Sequence, residues 1–216
     1  GLTPEQITEN HAKVLQLAST QGVLVAEVSM QSAAQQAGIQ RYDVITELAG
    51  RPILDKDDFR RKVAQAKPGE EISLKGIRNG QRVEFRAEIR ERPAAPQTEA
   101  RPQPELPKEQ PESRMGRAGI SVQELTEQHR RMYRAQGSGV IVVEVDPISP
   151  AADAGLSVGD VILEINRHPI RSLLVYQKLI ADFRANDALM LLVGNSRSAR
   201  SRTRIVALKL EEARLR

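Results

Sequence analysis

The sequence predicts two small α+β, mainly β domains, each a partly open β-barrel capped by helices, joined by a proline-rich linker. Three observations carry that reading. The first is an internal repeat: "SAAQQAGIQRYDVI" (32–45) returns as "SPAADAGLSVGDVI" (149–162), and residues 22–53 align with 139–170 at a constant offset of 117 without a gap. Identical pairs include Gly22 with Gly139, Ala34 with Ala151, Gly38 with Gly155, Asp43 with Asp160 and Pro52 with Pro169. A period this long marks duplicated domains and not a solenoid. The second observation is the segment 92–116, which holds six of the twelve prolines and almost nothing apolar. It has too little to bury to offset its ordering entropy, and is expected to be the most mobile part of the chain. The third is a succession of short apolar runs punctuated by glycine, proline and asparagine. The domains are accordingly placed at 1–91 and 117–216, with 92–116 as a flexible linker between two semi-independent bodies.

In the first domain, "TPEQITENHAKVLQL" is predicted to be a helix. Thr3 is the candidate N-cap, Pro4 suits the first helical position and Gln6 completes a capping box. "GVLVAEV" (22–28) is apolar on both faces and so a central strand. "QSAAQQAG" (31–38) is a one- or two-turn helix stopped by Gly38. "DVITEL" (43–48) is a strand, and "AGRPI" turns the chain. "DKDDFRRKVAQAK" (55–67) is a helix with acids first and bases last, which suits its dipole. "EISLKGI" and "QRVEFRAEI" form a hairpin closed by Asn79 and Gly80. Val83, Phe85, Ala87 and Ile89 alternate with charged residues and should face the core. The second domain repeats this order, with its long helix at "SLLVYQKLIADF" (172–183) and its last hairpin at 188–210. At the turn before the fourth element Tyr42 stands where the second copy has Gly159, so a strained left-handed turn is expected there. Asp43 and Asp160 are expected to cap local backbone N–H groups.

Composition excludes several chemistries. Apolar residues make up 40% of the 216 and aromatics only 3%, so the cores must be built from Val, Ile, Leu and Ala. There is no Cys, hence no disulfide, thiolate metal site or haem attachment. The net charge of +4 is scattered. Basic runs at 130–134 and 197–204 have only Tyr133 interleaved, so they read as solvated and no nucleic-acid surface is expected. The apolar runs fall far short of the ~20 residues that span a bilayer, so no direct membrane insertion is expected. "GNSRSARS" around Ser196 opens like a serine-nucleophile motif but lacks the glycines of an oxyanion hole, and it falls at a hairpin turn. His11 and His129 read as surface residues of polar helices and His168 as a turn residue, none with a metal-spaced partner. No catalytic residue, metal ligand or cofactor is expected in this chain. It does not begin with Met and reads as a piece of a longer protein, with Gly1 a candidate cloning scar.

The strand, S-x-A-x-x-A-G, D-V-I and P-I pattern, present twice, resembles the PDZ signature of bacterial proteins. Each copy also opens with a Gly-hydrophobic pair, Gly1-Leu2 and Gly119-Ile120. That arrangement is similar to the tandem PDZ region of the Do-like (HtrA) periplasmic serine proteases. The resemblance implies that the Gly-hydrophobic loop holds a peptide's C-terminal carboxylate, with the adjacent strand and long helix forming the groove. Carried onto this sequence, the loop and strand are Gly1, Leu2 and Thr3 in the first copy and Gly119, Ile120, Ser121 and Val122 in the second. The groove helix contributes Phe59, Lys62 and Val63, and Val175, Tyr176, Leu179 and Ile180. Glycine lets successive N–H groups converge on an anion, and an open strand edge accepts a peptide as an extra strand.

The first loop is expected to be incomplete, because Gly1 is terminal. Asp58 and Lys62 face Val175 and Leu179 in the alignment, so the second groove should take a bulky apolar last residue and the first a smaller or more polar one. The implied partners are peptide C-termini or unfolded protein segments, and further copies through a protease domain preceding Gly1. The implied location is the periplasm and the implied task protein quality control. The competing readings are a non-proteolytic adaptor or secretion component, and the PDZ pair of an intramembrane (site-2) protease.

Overall fold

A computed structural model describes residues 1–89, 118–127, 129, 138–184, 187–195 and 202–210. The proline-rich stretch 92–116, the basic run 130–134 and the hairpin tip around Ser196 lie outside the described residues. The chain divides into two compact units, Gly1–Pro96 and Gln97–Arg216.

The first unit runs β1 (Leu2–Gln6), α1 (Glu9–Leu15), β2 (Val23–Val28), α2 (Ala33–Gln36), β3 (Val44–Leu48), β4 (Arg51–Pro52), α3 (Lys56–Gln65), β5 (Glu71–Arg78) and β6 (Gln81–Glu88). Its sheet has the order β1-β2-β3-β5-β6, with β4 added to β3, and every pairing is antiparallel. The second unit holds β7 (Ile120–Glu124), β8 (Val140–Val145), α4 (Pro150–Asp153), β9 (Val161–Ile165), β10 (His168–Pro169), α5 (Leu173–Ala181), β11 (Ala188–Asn195) and β12 (Arg202–Lys209). Its order is β12-β11-β9-β8-β7, with β10 on β9. Neither sheet closes on itself, so each unit is a partly open barrel with helices over the openings. α2 packs against β6 and α3 against β1; α4 packs against β12 and α5 against β7.

Aliphatic side chains fill both cores. Val23, Val25, Ile45, Leu48 and Leu74 gather around Phe59 and Phe85 in the first unit. Val140, Val142, Ile162, Ile165 and Leu191 gather around Tyr176 in the second. In β6, Phe85 and Ala87 are buried and Val83 half-buried, while Arg82, Glu84, Arg86 and Glu88 are exposed, as the period-two alternation requires. Tyr42 adopts φ +71° and Gly159 φ +89°, the left-handed turn expected at both places.

The N-terminal segment departs from the sequence expectation. Residues 2–6 are a strand and not the first turn of a helix: Thr3 pairs with Glu27 and Pro4 with Val25, across a register shift between them. Pairing with the apolar β2 overrides the local T-P-E-Q helix signal, and β1 tolerates proline because it is an edge strand. The N-cap comes five residues later. Thr8 Oγ1 accepts the His11 N–H at 3.3 Å, and the Thr8 N–H donates to His11 Nδ1 at 3.2 Å. The same T-x-x-H exchange joins Thr126 and His129. Both histidines are therefore buried, 4% and 7% exposed, and not surface residues as expected. His168 is exposed, as expected.

Candidate functional site

β1 and β7 each end their sheet, so on one flank they pair with a strand and on the other they meet none among the described residues. The long helix lies beside that open flank, α3 by β1 and α5 by β7. A side chain–backbone bond fixes the gap at one end. The Lys56 N–H, first in α3, donates to Gln6 Oε1 at the end of β1 at 3.1 Å. The Leu173 N–H, first in α5, donates to Glu124 Oε2 at the end of β7 at 2.6 Å. The other end of each gap opens at the start of the strand, where Gly1 and Gly119 stand.

Gly119 is required by both conformation and space. Its φ is +72°, and a Cβ there would lie 2.1 Å from Ser149 Cβ. A Cβ on Gly1 would lie 2.3 Å from Ser32 Cβ. The Gly1 carbonyl accepts the Ser29 N–H at 2.8 Å, as the Gly119 carbonyl accepts the Asp146 N–H at 2.9 Å. Terminal though it is, Gly1 occupies the place that Gly119 holds in the second copy.

The strand residues offer backbone more than side chain. Ile120 and Val122 are buried in the core, and Ser121 is buried with its Oγ 3.3 Å from Glu144 Oε2. Leu2 is half-buried against the first core and Thr3 half-buried beside it.

The helix residues divide by flank. Phe59 and Tyr176 are core residues, and burial pushes the Tyr176 phenol well above its ordinary pKa. Val63, Leu179 and Ile180 are half-buried against the cores, and Val175 is half-buried. Lys62 turns toward β4: its Nζ bonds the Pro52 carbonyl and lies 2.6 Å from Asp58 Oδ2. Asp58 also accepts the Leu54 N–H at 3.0 Å. The Lys62 ammonium, with that N–H, holds the Asp58 carboxyl below the usual carboxylate range. At 100° per residue, Asp58 and Lys62 fall on one flank of the Phe59–Val63 stripe and Lys56 on the other. Lys56, whose N–H meets Gln6 of β1, shares its flank with Val63, and their counterparts in α5 are Leu173, whose N–H meets Glu124 of β7, and Ile180. Sequence reasoning passed over Lys56 and Leu173. Their seven-residue spacing from Val63 and Ile180 was the available signal.

A PDZ-domain family model matches residues 5–89 and again 116–195. The chain belongs to the PDZ-domain family. It is a tandem PDZ segment, and its curated relatives are DegP-like serine endoproteases. The probable periplasmic serine endoprotease DegP-like of Chlamydia pneumoniae is 29% identical over 98% of this chain and 40% of its own length. That of Pseudomonas fulva is 33% identical over 80% of this chain and 35% of its own. The solved structure of the HtrA-type protease AlgW with decapeptide is 33% identical, covers 44% of this chain and 29% of its own, and has a TM-score of 0.41. The chain thus spans 40% and 35% of the length of these two curated relatives. PDZ domains bind peptides, and the relatives are named as periplasmic enzymes. Among the described residues no helix is long and apolar enough to cross a membrane.

Proposed function

We propose that this chain is the substrate-binding and regulatory part of a periplasmic Do-like serine endopeptidase. Each PDZ domain takes a peptide C-terminus, or an unfolded segment, as an added strand on β7 or β1. In this reading, cleavage and oligomerisation belong to a protease domain outside this chain. The observation that carries the reading is the open edge of β7, entered through Gly119 at φ +72° and flanked by α5. Main-chain pairing along such an edge gives affinity with little sequence demand, which suits a binder of many unfolded clients. The flank beside β7 is apolar at Leu173 and Ile180, whereas Lys56 replaces leucine beside β1. The second groove therefore favours apolar ligand side chains more strongly than the first.

Calorimetric titration with decapeptides as free acids and as C-terminal amides tests this. One short added strand and a filled pocket supply micromolar binding, about −8 kcal/mol or weaker. Amidation removes the terminal charge and should weaken binding about tenfold or more. Equal binding of acid and amide would rule out carboxylate capture.

A further inference from the structure

We propose that Ser149 and Ser32, the N-cap serines of the short helices α4 and α2, are positioning residues for the carboxylate-capturing loop. This rests on the carboxylate reading above and explains why the short helix recurs in the repeat.

Ser149 is 4% exposed and held on two sides. Its Oγ accepts the Ala152 N–H at 3.2 Å and donates to the Asp146 carbonyl at 2.6 Å. Its Cβ fills the space where a side chain on Gly119 would stand. Around it, the last two carbonyls before β7 are drawn to one side: Ala118 O accepts the Ala151 N–H at 3.2 Å, and Gly119 O accepts the Asp146 N–H at 2.9 Å. There are no cis peptide bonds among the described residues. In a trans peptide unit the N–H points opposite to the C=O that precedes it. Pulling those carbonyls toward α4 and the turn before it therefore turns the Gly119 and Ile120 N–H groups away from it. Two successive N–H groups aimed in this way form an anion-binding concavity.

The first copy arrives at the same geometry with different bonds. Ser32 Oγ donates directly to the Gly1 carbonyl at 3.1 Å and accepts the Gln35 N–H at 3.2 Å. The Leu2 N–H is turned outward by the same peptide geometry. Both serines thus act on the ligand only through the backbone they hold, and neither is placed to touch it.

The test uses the full chain with both serines changed, Ser32→Ala and Ser149→Ala, so that no unaltered loop contributes. The probes are three fluorescein-labelled alanine–serine decapeptides ending in valine, leucine or phenylalanine, each as free acid and as amide. The readout is the acid-to-amide affinity ratio. A serine that only caps a helix would lower the melting temperature and leave this ratio alone. A positioning serine should lower the ratio at least threefold with amide binding unchanged. An unchanged ratio in the variant, with a wild-type ratio of ten or more, overturns the inference. A wild-type ratio of one instead overturns the carboxylate reading itself. If the double variant does not fold, Ser149→Ala is compared with Ser149→Thr, which keeps the capping hydroxyl, following the Ile120 amide resonance. Ser149→Ala should lose part of the acid-specific shift and Ser149→Thr should keep it. An equal acid-specific shift in the two folded variants overturns the inference.

Discussion

Asp43 and Asp160 hold the same place in the repeat and are 1% and 2% exposed, yet their arginines come from different strands. Arg78, at the end of β5, makes a two-pronged pair with Asp43, both contacts at 2.7 Å. Arg204, within β12, reaches Asp160 at 2.7 Å. The ladders show that these are not equivalent positions. Gly76 stands opposite Ile45 and Val83, as Val193 stands opposite Ile162 and Arg204. Arg78 thus corresponds to Asn195, and Arg204 to Val83. Each guanidinium also bonds the carbonyl of the glycine ending the short helix, Gly38 or Gly155, at 2.7 and 2.8 Å. Each aspartate also accepts a local N–H, from Gln40 or Ser157. What the two domains share is a buried carboxylate that ties down the loop after the short helix. The donor's position in sequence is free to change, because only its charge and reach matter.

The largest effect should come from breaking those pairs one at a time. Arg78→Met strands a buried carboxylate and should cost the first domain about 3 kcal/mol, leaving the second untouched. Arg204→Met should do the reverse. Denaturation followed by domain-specific probes reads both, and equal loss in the two transitions would break the comparison. Transplanting the second solution sharpens it: in an Arg78→Asn background, Val83→Arg should recover part of the lost stability.

An intermediate effect is expected at the caps. Thr8→Ala removes the oxygen that accepts the His11 N–H in the first turn of α1 and should cost about 1 kcal/mol in a thermal melt of the first domain. Thr126→Ala should cost the second domain a similar amount, since the same exchange with histidine is present there. A loss confined to one domain would show that the two T-x-x-H boxes are not equivalent.

The smallest effect concerns pH. Asp58 is held below its ordinary value of 3.8 by Lys62, whereas the second domain has Val175 and Leu179 at these places. A carboxyl lowered in the folded state contributes stability that is complete above its unfolded value and is lost as pH falls through its folded value. Asp58→Asn should therefore flatten part of the acid-side loss of the first domain; the second domain carries Val175 at that place, with no carboxyl to exchange. An unchanged acid melt would remove Asp58 from the account.

Much of this was legible because it is local. The S-x-A-x-x-A-G helix, the Asn79-Gly80 hairpin and the alternation in β6 are set by neighbouring residues, and the structure follows them. The glycines of the loop were legible from position, though the need for Gly119 comes from Ser149 thirty residues away. The arginine partners were not legible, since the constant offset of 117 pairs Arg78 with Asn195 and misses the longer second hairpin. The N-terminal strand was misread because T-P-E-Q carries a good helix start, and only β2, some twenty residues on, decides against it. The buried histidines failed for a related reason: T-x-x-H puts imidazole where a capping box usually has glutamate, and the ring then follows the backbone inward. Lys62 was assigned to the groove from its alignment with Leu179, and its bonds to the Pro52 carbonyl and Asp58 were not legible in the local pattern.

The central claim is that ligand adds to the outer edge of β7 and β1. Amide NMR of the labelled full chain, titrated with an unlabelled free-acid decapeptide ending in leucine, tests it most directly. The largest shifts and new exchange protection are expected at Gly119 to Val122 and at Leu2 and Thr3, with little change along β6 and β12. Saturable binding that instead shifts β6 or β12, and leaves the β7 and β1 amides unmoved, would contradict it.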